Sequence, residues 1–105
     1  MDRPTFNKFC EEQHSAEFFL LGTKGAEYTQ DSQDVLFNFK QNAGELGIDP
    51  LTVWAVYMNK HIAAIKSYVK NKKVKSTESI ESRFTDARNY LLLGLALIKE
   101  SELNG

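Results

Sequence analysis

Residues 90–98 read YLLLGLALI, nine apolar positions in succession. A bilayer span needs about 20 such residues, so the run is too short to cross a membrane and too apolar to leave in water. Just ahead of it, Ile80, Phe84, Ala87 and Leu91 recur at helical spacing. The run therefore continues an amphipathic helix into a stretch that is apolar on every side. In a chain of 105 residues such a helix must fill the core or face another subunit, and the sequence predicts both.

The rest of the chain also reads as helix, with no strand. Asp49-Pro50 is the sharpest local signal, an N-cap followed by proline at the first helical position. Behind it, Leu51, Trp54, Ala55, Met58, Ile62, Ile65 and Val69 repeat at the helical period, with Val53, Tyr57 and Ala64 as a second stripe. Upstream, Val35, Phe39, Ala43 and Leu46 line one face of a shorter helix, capped by Asp31 or Ser32, and Gly47 suits its left-handed C′ position. At the N-terminus Phe6, Phe9, Cys10, Ala16, Leu20 and Leu21 suggest a first helix, widened by Phe18 and Phe19 and stopped at Gly22, with 23–32 as loop. Ser76 or Thr77 is expected to cap the last helix. The expectation is one all-α domain over 1–105, a compact four-helix arrangement with helices at roughly 5–21, 32–46, 50–70 and 77–102.

Composition narrows the chemistry. The chain is 42% hydrophobic and 26% charged, with net charge −1, so gross electrostatics do not suggest duplex nucleic acid as a partner. Cys10 is the single cysteine, which excludes an intramolecular disulfide and a zinc site built of thiolates. The opening residues carry no signal-peptide core, and a cytoplasmic location without membrane association is expected. No nucleophile motif or P-loop is present.

Several polar groups stand out against this background. Glu11 and His14 form an E-x-x-H pair on helix one, but a di-iron site needs a second such pair, and His61 is the one other histidine. Lys60 falls in line with Val53, Tyr57 and Ala64, where a lysine either snorkels or meets an anion. His61 lies on the apolar stripe with Met58 and Ile65. On the fourth helix Arg83, Asp86 and Tyr90 recur at i, i+3 and i+7, with Asn89 on the adjoining side. They read either as an internal Arg83–Asp86 network or as the polar floor of a pocket. Lys66, Lys70, Lys72, Lys73 and Lys75 crowd one helix end and connector, as a solvated face or a phosphate-attracting rim.

Three segments, GTKGAEYTQDSQDVLFNFK at 22–40, LGIDPLTVWAVYMNKHIAAIKSYV at 46–69 and ESIESRFTDARNYLLLGLAL at 78–97, resemble in that order the small phage and prophage proteins of the family called nucleotide-modification-associated domain one. The likeness covers roughly 18–100 and rests on Lys24, Gly25, Tyr28, Asn38, Phe39, Lys60, His61, Glu78, Glu81, Asp86, Asn89 and Tyr90. It implies a nucleotide or nucleotide-derived ligand. Lys60, His61 and Lys24 would meet phosphate, Tyr28 or Tyr57 would stack on a base, and Asp86 and Asn89 would bond base or ribose, with Asn38 in the same set. It further implies a phage protein that sequesters a host signalling nucleotide, a counter-defence role.

The fourth helix is also distantly similar to the all-α nucleoside-triphosphate pyrophosphohydrolases, which hold Mg²⁺ with two acidic pairs. If Asp86 matches their last aspartate, Arg83 stands where they have glutamate, and Asp34 and Glu45 cannot form the other pair. Glu78, Glu81 and Asp86 are the acidic set such an enzyme would use here with Mg²⁺. The expectation is therefore binding without turnover and without a metal or other cofactor. The alternatives are a metal-dependent nucleotide hydrolase and a protein-interaction module that inhibits a host protein. A homo-oligomer through helix 77–102 is expected in each case.

Overall fold

The computed structural model of the chain describes the backbone of residues 1–28, 34–72 and 78–104, and side chains for 1–22, 34–72 and 78–103. Four α-helices make up the described residues: α1 (Arg3–Tyr28), α2 (Phe37–Leu46), α3 (Pro50–Asn71) and α4 (Ile80–Asn104). The all-α, four-helix reading holds. None of the described helices is long and apolar enough to cross a membrane.

Local chemistry accounts for most of the helix ends. Asp49 Oδ1 accepts from the Leu51 N–H at 2.7 Å and Pro50 opens α3, as the sequence predicts. Gly47 has φ +68° and closes α2, with the Ile48 N–H also reaching the Ala43 carbonyl at 3.0 Å. That geometry is cheap only for a residue without Cβ. Lys72 ends α3 in the same left-handed region at φ +59°.

The other ends differ from expectation. α1 does not stop at Gly22 but runs on to Tyr28, so 23–28, expected as loop, are helical. A glycine costs a helix interior about 1 kcal/mol. It ends a helix only where the chain takes up the left-handed turn, and the chain after Gly22 stays helical through Tyr28. α2 begins at Phe37 rather than near 32. Asp34 turns the chain into it, its Oδ1 accepting from the Leu36 N–H at 2.9 Å; Asp31 and Ser32 lie outside the described residues. α4 begins at Ile80 rather than 77, because Ser79 supplies the cap: its hydroxyl accepts from the Ser82 N–H at 3.1 Å. Ser76 and Thr77 lie outside the described residues.

The core forms where α2, α3 and α4 meet. Leu36, Phe39, Ala43, Val53 and Leu97 are buried there, with Leu51, Trp54, Tyr57, Tyr90, Leu93 and Ala96 packed against them. Several expected stripe positions are not in it: Val35 and Leu46 of the second-helix series and Ala55, Ile62 and Val69 on α3 are exposed. With α2 starting at Phe37, the inward line is Leu36–Phe39–Ala43, and Val35 precedes the helix.

The α3–α4 contact is unusually close at one point. The Trp54 indole lies against Gly94, where a Cβ would fall 2.4 Å from ring atom Cε2. The same ring donates from Nε1 to the Tyr90 carbonyl at 2.5 Å. Gly94 is therefore the reason the apolar run can lie against α3.

α1 packs chiefly on α4, and polar groups hold it there. Glu17 is buried and pairs with Arg88 Nε, whose Nη2 also donates to Gln13 Oε1 at 3.2 Å and to Thr85 Oγ1 at 3.2 Å. Phe18 and Phe19, read as widening the apolar face, point to solvent.

Candidate functional site

α3 and α4 bring a group of aromatic and basic side chains together beside the core. Tyr57 and Tyr90 both meet the Phe39 ring edge-on, with centroids 6.3 and 6.1 Å away. Tyr57 and Tyr90 lie 6.4 Å apart, and His61, one turn beyond Tyr57, places its imidazole 4.3 Å from the Tyr90 ring. All three are half-buried. Residues 57 and 61 share a face of α3 because they are four apart, and Phe39 lies beneath the Tyr57 and Tyr90 rings.

Lys60 stands at the margin of this group. It is exposed, and its ammonium lies 5.5 Å over the Tyr57 ring, within cation–π range. Its stem also borders a shallow depression on the outer side of α3, shared with Asn59 and Lys66. Two ammonium groups and an amide on one helical surface suit an anion.

α4 contributes charge next to the aromatics. Asp86 is one turn before Tyr90 and half-buried, and Arg83 lies a further turn back. Arg83 Nη1 is 3.5 Å from Glu78 Oε2, an ion pair that the sequence reading does not anticipate.

Of the residues singled out from sequence, the structure gathers Tyr57, Lys60 and His61, with Asp86 one turn from the ring they face. Asn38 is elsewhere: it sits on α2, and its carbonyl and Oδ1 accept from Asn42 Nδ2 at 2.9 and 3.4 Å. Asn89 is buried about a quarter-turn round α4 from Tyr90, and its Oδ1 has no hydrogen-bond partner among the described residues. The side chains of Lys24 and Tyr28 lie outside the described set.

The acidic set of the hydrolase alternative is not drawn together. Glu78 faces Arg83, and among the described residues no three His, Cys, Asp or Glu side chains are placed to share one ion. His14 meets Glu17 rather than Glu11, Nδ1 to Oε2 at 3.5 Å. The Gln13–Glu17–Arg88–Thr85 cluster was not singled out from sequence. Its one signal is a carboxylate set among Cys10, Gln13, Leu20 and Leu21 on the inner face of α1.

No family model, curated protein or solved structure matches this chain.

Proposed function

We propose that the chain binds a nucleotide or nucleotide-derived signalling molecule at the α3–α4 face and holds it without turnover. The observation that carries this reading is the placement of Lys60 over Tyr57 beside the His61–Tyr90 contact. Tyr57 and Tyr90 offer π-faces to a base, Lys60 offers a cation to phosphate, and Asp86 is an acceptor for a base amine or a ribose hydroxyl. The ordered resemblance of 18–100 to the nucleotide-modification-associated phage family supports the same ligand class. It also supports sequestration of a host nucleotide as the purpose. Self-association of the chain belongs to the proposal as well.

A single incubation tests it. The protein is mixed with a panel of linear and cyclic nucleotides plus Mg²⁺ and filtered, and the filtrate is chromatographed before and after heat denaturation. A compound that disappears and returns intact on heating is the expected result, with retention weakened about tenfold or more by Lys60→Ala. Conversion to a new compound would overturn sequestration in favour of hydrolysis by Glu78, Glu81 and Asp86. A panel left wholly in the filtrate would overturn the nucleotide reading. The apolar side chains that α4 leaves in solvent favour a protein partner in that event.

A further inference from the structure

Charge is divided unevenly along the chain. Residues 50–77 hold six of the 13 lysines and arginines and none of the 14 aspartates and glutamates, which leaves seven cations against 14 acids in the rest. A net charge of −1 therefore hides a strongly basic segment in an acidic protein. Most of that segment is α3, whose charged residues are Lys60, Lys66 and Lys70, and Lys72 follows at its end. All four are exposed, and Lys66, Lys70 and Lys72 have no ion pair among the described residues.

The side of α3 turned away from the core carries these lysines on an apolar ground. Val56, Asn59, Ala63, Lys66 and Lys70 follow one another at three and four positions, one heptad line about 21 Å long at about 1.5 Å per residue. Each of the five is exposed. Val56, Ile62 and Ala63 border a shallow depression on this side together with Asn59, Lys60 and Lys66. Ala63, the smallest side chain of the line, lies midway along it.

That combination selects among anionic partners. A lipid surface is met by bulky apolar side chains standing proud, whereas here valine, isoleucine and alanine line a hollow. A nucleic-acid strand is met by cations and exposed aromatics, whereas Trp54, Tyr57 and Tyr68 of α3 are half-buried and phosphates gain nothing from an apolar floor. A helix with an apolar ridge and acidic flanks matches both features. Its ridge enters the hollow at Ala63 as a knob enters a hole, and its carboxylates meet Lys60, Lys66 and Lys70. A second copy is a poor source of that helix, since none of α1, α2 and α4 has a net charge beyond −1. We infer that the outer face of α3, along Val56, Ala63 and Lys70, is a docking surface for an acidic amphipathic helix of another protein.

The probe is a labelled peptide of three heptads with leucine at a and d and glutamate at e and g, whose glutamates keep it from pairing with itself. Its fluorescence anisotropy should rise saturably with the intact protein, and the affinity should fall several-fold between about 50 and about 300 mM salt. Lys66→Glu with Lys70→Glu sets like charges across the contact and is expected to weaken binding roughly tenfold or more. Ala63→Gln fills the hollow and is expected to weaken it comparably. All three positions are exposed on α3, so helical circular dichroism should be retained.

A twin peptide with glutamine in place of glutamate should bind roughly tenfold more weakly or worse. Equal binding of the two peptides, or binding that survives both sets of substitutions, would overturn the inference, as would an anisotropy that stays flat up to about millimolar protein. Tighter retention of the protein on phosphatidylserine vesicles, or on a labelled DNA duplex, would overturn it as well and give the face to a membrane or to nucleic acid. Tyr57, Lys60 and His61 are unaltered in every variant, so none of these outcomes turns on whether a nucleotide binds.

Discussion

Gly94→Ala is a test of how α3 and α4 fit. On propensity alone the substitution should help, since alanine in a helix interior is favoured over glycine by about 1 kcal/mol. The structure reverses the sign. A Cβ at position 94 would lie 2.4, 2.6 and 2.8 Å from Cε2, Cζ2 and Nε1 of Trp54. Relieving that overlap means moving a half-buried indole by about 1 Å to ordinary carbon–carbon distance. Overpacking of this kind costs about 1–3 kcal/mol. The shift also strains the 2.5 Å bond from Trp54 Nε1 to the Tyr90 carbonyl, worth about 0.5–1.5 kcal/mol. Against the propensity gain, the net expectation is a loss of about 1–3 kcal/mol, or a fall in Tm of roughly 5–20 °C for a domain of this size.

The matched control is Gly44→Ala in α2, where a Cβ meets nothing within 4 Å; it should gain up to about 1 kcal/mol. Thermal unfolding followed at 222 nm, at one fixed protein concentration, separates the two. Emission from Trp54, the single tryptophan, reports the indole directly. A Gly94→Ala protein that melts at or above the parent, with unchanged emission, would refute the packing argument.

Three further outcomes are expected. Glu17→Ala strips Arg88 of its buried partner and should cost about 1–3 kcal/mol, below the figure for a fully buried pair because Arg88 is a third exposed; faster hydrogen exchange confined to α1 would show that the loss is local. Asp49→Ala removes the acceptor for the Leu51 N–H and should cost about 1 kcal/mol in urea unfolding, with Asp49→Asn largely sparing it. The Asp34 carboxyl is held below its ordinary 3.8 by the hydrogen bond from Lys40 and then by the Leu36 N–H. Its contribution is therefore present above pH 3.8 and lost as pH falls through the lowered folded value. Lys40, raised above 10.5 by Asp34 and then Glu100, loses its share only as pH rises through that higher value. Both side chains are more than a third exposed, which keeps the effect under about 1 kcal/mol. The check is a shallower acid slope of the urea midpoint in Asp34→Asn.

Helix starts and stops were legible wherever one residue type has a dedicated backbone job. Asp49, Pro50 and Gly47 each do what their chemistry predicts. α1 was misread at Gly22 because a glycine that stays helical looks, in sequence, like one that turns. The inward faces were harder to read. On α4 the series Ile80, Phe84, Ala87 and Leu91 was expected to face in together, yet Phe84 and Leu91 are exposed, while Ala87, Asn89 and Thr85 are buried. Hydrophobic period cannot find a face that carries a glycine for clearance and polar groups for pairing. In the candidate site, Lys60 and His61 stand out in the sequence because each is polar within an apolar stripe, and Tyr57 because it is an aromatic member of one. The Glu17–Arg88 bridge was not, because its members are 71 positions apart and each is ordinary in its own helix.

That bridge has a consequence for how the protein is made. The residues that receive α1 are on α4, the last of the four described helices in chain order: Gln13 bonds Arg88 across 75 positions. When α1 leaves the ribosome, α4, on which it chiefly packs, does not yet exist, and Cys10, Leu20 and Leu21, half-buried in the fold, travel uncovered. α2 and α3 meet across a short turn and can associate as soon as both are out, whereas contacts of long sequence separation form late. Of the four described helices α1 is thus made first and docks last, and until α4 follows it the nascent chain carries a 26-residue apolar-studded arm that chaperones can hold until Arg88 appears.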